Sequence, residues 1–359
     1  MKASDHMSFD GLFTHAMVTE LQHNLVSGRI SKIHQPYQNE LILTVRANGK
    51  NWPVLLSADP TYPRVQVTRI PYVNPAVPTN FAMMMRKYLQ GAIITEIKQP
   101  ANDRVVQFTI TTRNELGDAE TLTLIIEIMA RHSNVILVDN QTGKILDVIK
   151  HVGADQNRYR LLLPGATYIE PPKQDKRDPF TPNDDYRDLV QQYPSDTVLA
   201  KQLQQHYQGL GHDSAAQLAA DLHQPGDLNK HYQTFLAQFN HPEPTLITLS
   251  NHKTMFAAGS FDAFGDQRKQ FDSLSALLDF YYQDAAQRER VQQQAGNLIR
   301  VVRNDLKKNR NKYKKLQQTL ANTKQADELR LKGEILTTYL HEVKRGMTEI
   351  TLADYYHDN

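Results

Sequence analysis

Apolar residues at Leu12, Val18, Leu21 and Leu25 recur at helical spacing, which predicts a first helix closed by Gly28 at its C′ position. The period then changes to two. In ELILTVRANGKNWPVLLSAD, residues 40–59, apolar and polar positions alternate, break at Asn48 and Gly49, and alternate again. That is a hairpin pattern, because Asn-Gly readily supplies the positive φ angles of a tight turn. FAMMMRKYLQG, residues 81–91, reads as a short helix with a methionine face inside, Arg86 and Lys87 outside, and Gly91 closing it. Strands are expected at about 92–98, 104–112, 121–129, 134–139 and 144–150, separated by polar turns such as NELGDAE and NQTG. This is an α+β domain dominated by an antiparallel sheet. Proline and charge in LPGATYIEPPKQDKRDP, residues 163–179, mark its end.

Beyond it the period is helical. DTVLAKQLQQHYQGLGHDSAAQLAADLHQ reads as helix, tight turn at Gly209, Leu210 and Gly211, then helix; TLITLSNHKTMFAAGSF reads as a small hairpin. From about Ser273 a helix runs to Thr323. Leu306, Asn309, Tyr313, Leu316, Leu320 and Thr323 step by three and four, a coiled-coil seam with polar members. ADELRLKGEILTTYLHEVKRGMTEI is expected to turn back as a second helix ended by Gly346, giving an antiparallel coiled coil. TLADYYHDN resembles the entry to a further strand. The expected division is 7–175, 176–272 and 273–359. Residues 1–6, ahead of a second methionine at Met7, read as a vector-derived remnant.

Composition narrows this little. The chain has 359 residues, 40% of them apolar, and a net charge of +2, so attraction to a polyanion would have to be local. It is local in RVVRNDLKKNRNKYKK, residues 300–315. Arg300, Arg303, Lys307, Lys308, Arg310, Lys312, Lys314 and Lys315 there face one acid, Asp305. Such a run is either a solvated helix face or a phosphate-binding stripe. Its apolar seam is too narrow for a lipid-facing helix, and no stretch approaches the ~20 apolar residues of a membrane span. Cysteine is absent, which excludes disulfides, thiol nucleophiles and Cys-ligated zinc.

Enzyme signatures are missing: there is no G-x-S-x-G, phosphate-binding loop, dinucleotide fingerprint or H-E-x-x-H. His15 and His23 lack a carboxylate placed to complete a metal site. No enzyme, cofactor or metal is expected. In the Gly209-Leu210-Gly211 turn, the glycines either admit a nucleic-acid backbone or only turn the chain, with Leu210 plugging the helix pair. Glu127 reads as one acid on the solvent side of a half-buried strand, and 131–134 as a polar turn. Asp103 and Arg104, in QPANDRVVQF, read by composition as a surface ion pair worth about 0–1 kcal/mol.

Several segments resemble the NFACT family. They are MSFDG from Met7, GRISKIHQP, MMMRKYLQGAIITEIKQPANDRVVQF, EIMARHSNVILVD, LPGATYIEPP, RVQQQAGNL and LRLKGEILTTYLHEVKRGMTEITLADYY. The resemblance covers essentially the whole chain past residue 6. It implies an NFACT-N domain with a fold like the N-terminal domain of formamidopyrimidine-type glycosylases. A helix-hairpin-helix domain and a two-helix coiled coil would follow, and a C-terminal NFACT-R domain would lie beyond this chain. The N-terminal catalytic proline and cysteine zinc finger of those glycosylases are absent, which disfavours base excision.

The implied function is ribosome quality control. The expected partners are the large ribosomal subunit carrying stalled peptidyl-tRNA, and alanyl-tRNA recruited for template-independent alanine tailing. The implied location is cytoplasmic and ribosome-associated. The resemblance assigns tRNA engagement to Asp103 and Arg104 and to Glu127, Ile128 and Met129; Arg86, Lys87 and His132 join them as neighbouring candidates. Gly209, Leu210 and Gly211 would meet a nucleic-acid backbone, and the 300–315 stripe ribosomal RNA. The alternative, suggested by an older family name, is a fibronectin-binding surface adhesin.

Overall fold

The computed structural model describes residues 9–357; residues 1–6, expected to be a remnant, lie outside them. The chain divides into two compact units between Gln293 and Gln294. The first is built on a nine-stranded, wholly antiparallel sheet in the order β4-β3-β2-β1-β5-β6-β7-β8-β9. Its strands are β1 (Arg29–Tyr37), β2 (Glu40–Ala47), β3 (Lys50–Ser57), β4 (Arg64–Val67) and β5 (Ile93–Lys98), followed by β6 (Val105–Arg113), β7 (Ala119–Glu127), β8 (Asn134–Asp139) and β9 (Ile145–Val148). The expected hairpin is β2 and β3, with Asn48 and Gly49 both at positive φ. β1 and β4 were not expected as strands. β1 carries a register shift between Ile30 and Lys32 that breaks its alternation, and β4 is four residues long.

Helix α1 (Gly11–Leu25) starts on Asp10, whose side chain accepts from the Phe13 amide. It ends earlier than expected: Ser27, not Gly28, takes the left-handed conformation, at φ 69°. Gly28 is needed for another reason. A Cβ there would lie 2.5 Å from Val45 Cγ1 and 2.9 Å from Ala47 Cβ, so only glycine lets the chain enter β1 against β2. Helix α2 (Asn80–Leu89) sits where β1 diverges from β5. Those strands register only at Arg29 and Ile93, and the Arg86 guanidinium donates to the Ile33 carbonyl at 2.9 Å.

Sheet alternation sorts the strands into two cores. Val106, Phe108, Leu122, Leu124, Ile126 and Leu137 join the main core with α1. Val105, Ile125, Ile136 and Val138 pack in a smaller one under the irregular segment after β9.

The main core does not stop at the sheet. It continues through α3 (Asp185–Gln192), α4 (Asp196–His206), α5 (His212–His223) and α6 (Leu228–Asn240). It reaches a small sheet of β10 (Thr245–Thr248), β11 (Thr254–Ala257) and β12 (Gln267–Gln270), then Leu274, Leu277, Leu278 and Tyr282. These last residues begin α7 (Leu274–Thr338), a single 65-residue helix. The reversal expected near residue 324 is absent. QTLANTKQADELR, residues 318–330, offers neither glycine nor proline to break the helix and is rich in good helix formers. Past Thr338 there is a short turn, Leu340–Glu342, and no strand up to residue 357.

In the second unit, Leu306, Tyr313, Leu316 and Leu320 are each about half exposed or more, with no partner helix among the described residues. Among the described residues, no helix is long and apolar enough to cross a membrane.

Candidate nucleic-acid interface

The link between β5 and β6 contains a four-residue turn, 100–103, closed by the Asp103 amide donating to the Pro100 carbonyl at 3.0 Å. Its central residues, Ala101 and Asn102, sit at φ 50° and 51°. This left-handed conformation costs an L-residue about 1–2 kcal/mol, and asparagine tolerates it far better than alanine. The surroundings hold the turn in place. The Asn102 side chain donates to Asp178 Oδ1 at 2.6 Å. Gln99 Nε2 bridges the carbonyls of Asp103 and Gly11, at 2.7 and 2.8 Å.

The expected ion pair between Asp103 and Arg104 does not form. Asp103 Oδ1 instead accepts the backbone N–H of Arg104 at 2.8 Å. Among the described residues, no hydrogen bond or ion pair engages the half-buried Arg104 guanidinium. A carboxylate this close can bond its neighbour's amide without bending back over the side chain, so the cation is left for another anion.

The turn opens into a cleft of about 280 Å³, whose walls include Asp103, Arg104, Lys176, Gln204, Gln208 and His212. Gly209, Leu210 and Gly211 line the same cleft, so two motifs about a hundred residues apart in the chain converge here. Leu210 is buried, as the plug of the helix pair should be. The close approach that the glycines permit is made to other parts of the protein's own chain. A Cβ on Gly11 would lie 2.1 Å from the Asn102 carbonyl oxygen and 2.5 Å from Gly209 Cα. One on Gly211 would lie 2.9 Å from Asp10 Cβ. The Gly211 amide donates to Asp10 Oδ2 at 2.9 Å, and Ser214 Oγ donates to the same oxygen at 2.5 Å. Burial pushes the Asp10 carboxyl up, against these hydrogen bonds, which favour the ionised form. At Lys176, burial lowers the ammonium pKa, Arg104 adds to the effect and Asp103 opposes it.

Glu127 is placed differently from its sequence reading. It is not on a solvent face but is fully buried, at 0% exposure. Arg160 grips it with both terminal guanidinium nitrogens, at 2.8 and 2.6 Å, and the Tyr168 hydroxyl donates to Oε2 at 2.9 Å. Lying opposite Val105 in the β6–β7 register, it faces the smaller core, where an unpaired charge would be costly. Ile128 is also buried, and its amide donates to the Arg104 carbonyl at 2.8 Å. Met129 is half-buried, and His132 is exposed in the short turn Ala130–His132.

Arg86 and Lys87 do not join the cleft. Arg86 is half-buried against β1, not on the outside. Lys87 is exposed, 3.8 Å from Glu115 in the β6–β7 turn. The length of β6 separates that turn from Arg104, about 30 Å at ~3.3 Å per residue. All eight basic residues of the stripe are exposed on α7 in the second unit.

Sequence reasoning missed Asp10, Arg160, Tyr168 and Lys176. Asp10 carried a signal, an acid directly before a periodic helix. The other three lie in an irregular segment with no periodicity to read.

The fold and cleft define a class of protein: a broad antiparallel sheet and a helical region share one core, and two loops meet over a polar cavity. The family profile described as NFACT N-terminal and middle domains matches residues 10–359, and the chain belongs to the NFACT family. It is 46% identical over 350 residues to the Rqc2 homolog RqcH of Streptococcus suis strain 05ZYH33, covering 98% of this chain and 61% of that one. It is 41% identical over 357 residues to the Rqc2 homolog RqcH of Bacillus subtilis strain 168, covering 98% and 62%. The chain thus spans about three fifths of the length of these curated relatives.

Among solved structures it is similar to the N-terminal part of the fibronectin/fibrinogen-binding protein of Streptococcus suis. That match has a TM-score of 0.69 and 46% identity, and covers 77% of this chain and 100% of that one. The fibrinogen-binding protein of Staphylococcus aureus matches with a TM-score of 0.66 and 33% identity, covering 77% and 99%.

Proposed function

We propose that the chain is the RNA-facing part of a cytoplasmic ribosome quality-control factor. In this reading the whole protein binds the large subunit carrying stalled peptidyl-tRNA. It brings in alanyl-tRNA for template-independent alanine tailing. The chain positions RNA and leaves peptide-bond formation to the ribosome. The observation that carries the reading is the 100–103 turn. Strained backbone concentrates at functional sites, and this turn leads into Arg104, whose guanidinium has no anion partner among the described residues and which lines a polar cleft. Arg104 suits a phosphate or a base edge, and Asp103 a ribose hydroxyl or base amine. Family membership and the names of the curated relatives support the same direction.

In the full-length protein, replacing both residues (Asp103→Ala with Arg104→Ala) should cut co-purified tRNA by about tenfold or more, the ~1.4 kcal/mol of one charged contact. Co-sedimentation with large subunits should persist. Wild-type tRNA recovery would remove the pair from the interface. Two solved relatives are named for fibrinogen or fibronectin binding. For this chain's parent protein, fractionation separates the readings: an adhesin partitions to the cell surface, a ribosome factor with large subunits.

A further inference from the structure

Residues 168–178 wrap the 100–103 turn. On one side Tyr168, Glu170, Pro171 and Lys173 share a small cavity with Pro100, Ala101 and Asp103. On the other, Gln174 and Lys176 line the main cleft. The segment has no regular secondary structure of its own, so its course depends on where it is fastened. Backbone and side-chain fastenings hold it, among them the Tyr168 amide donating to the Gly143 carbonyl at 2.9 Å, Arg160 Nη1 donating to the Ile169 carbonyl at 2.8 Å and Arg177 paired with Asp185 at 2.7 Å; three more bear directly on the turn and the cleft. At its start, Tyr168 donates to the buried Glu127, which Arg160 holds in a two-pronged ion pair. At the tip of the turn, Asn102 donates to Asp178. At its end, the Arg177 amide donates to the His206 carbonyl at 2.9 Å, and the Gln208 amide donates back to the Arg177 carbonyl at 2.7 Å.

We propose that residues 168–178 form a strap, buckled by Glu127, Arg160 and Tyr168, that delivers Lys176 into the cleft as a further phosphate-binding cation beside Arg104. Glu127 and Arg160 are then positioning residues: with no exposed surface, the Glu127 carboxylate acts on RNA only through the strap. Three features agree. The strap carries its cation to the same cavity as Arg104. Burial first, and then the neighbouring Arg104, disfavour the Lys176 charge, Asp103 offsets them in part, and an anion in the cleft would favour it. Burial and the Glu127 charge push the Tyr168 phenol up, so it remains the proton donor across the physiological range. The inference rests on the cleft being the RNA site.

The test uses the full-length protein and tRNA binding measured at several salt concentrations. Lys176→Ala, a change at a half-buried side chain, is expected to weaken binding about fivefold to tenfold and to reduce the salt slope by about one. Tyr168→Phe keeps the ring and removes one hydrogen bond, and should weaken binding two- to fourfold with its melting curve still cooperative. The double variant should bind no worse than Lys176→Ala alone, because the buckle acts through the lysine. A merely structural buckle would give multiplying losses and an unchanged salt slope, which overturns the proposal. So does wild-type binding by Lys176→Ala while the Asp103 and Arg104 double variant has lost tRNA. If that last variant also binds normally, the cleft reading itself fails.

Discussion

At the scale of residues, the carboxylates withdrawn from solvent, wholly at Glu127 and in part at Glu289, divide by what neutralises them. Glu127 is matched by a two-pronged guanidinium, whereas Glu289, near the start of α7, has acid company. Burial, then the charges of Glu40 and Asp59, push its carboxyl up from 4.5 to about 7, and Arg64 only partly offsets them. The sign follows from proton counting. Between pH 4.5 and about 7 the folded chain holds a proton that the unfolded chain has released, so stability rises as pH falls through that window. Glu289→Gln should therefore melt higher than wild type at pH 8. It should also flatten the slope of melting temperature against pH between about 5 and 7.5; an unaltered slope would assign that pH dependence elsewhere.

Residue chemistry of this kind was the least legible part of the sequence. Glu127 looked like a solvent-facing strand acid because its partners lie 33 and 41 positions away in a segment without periodicity. Asp103 and Arg104 looked like an ion pair because adjacency in sequence does not say which atom of a neighbour a carboxylate will meet.

At the scale of elements, local signals read well and distant ones poorly. The hairpin at Asn48 and Gly49 needs only its own residues, and it formed where the alternation placed it. Gly28 was given the wrong task, since the close pass it makes against Val45 and Ala47 is a tertiary fact. The long helix was cut short on paper because a seam suggests a partner, while the backbone obeys only local breakers. Its stripe supplies a test at this scale. Reversing Lys307, Lys308, Lys314 and Lys315 to Glu changes exposed side chains on an unbroken helix. Helicity by circular dichroism should therefore hold. Association of the full-length protein with large subunits should weaken and lose much of its salt dependence. An identical salt slope would make the stripe a solvated face.

At the scale of the whole molecule, the core of the first unit runs from Phe9 to Tyr282 and takes in sheet, helices and the first turns of α7. The cleft exists because of this sharing: the α1 start, the 100–103 turn and the Gly209 turn come from distant parts of the chain and touch backbone to backbone. Sequence periodicity could name the elements, and family resemblance could name the motifs. Neither could say that two motifs about a hundred residues apart border one cavity, because that follows from packing.

The strand order has a consequence in time. Every pairing in the large sheet except β1 with β5 joins strands that are consecutive in the chain. Each meander can therefore zip by short loop closures, while the joint between them waits for a closure spanning α2 and its flanking loops. In refolding experiments, a truncation inside a meander, such as Leu124→Ala, should slow folding. One at the joint, such as Ile94→Ala, should mainly hasten unfolding. Stopped-flow rates giving the joint the higher φ-value would reverse that order of events.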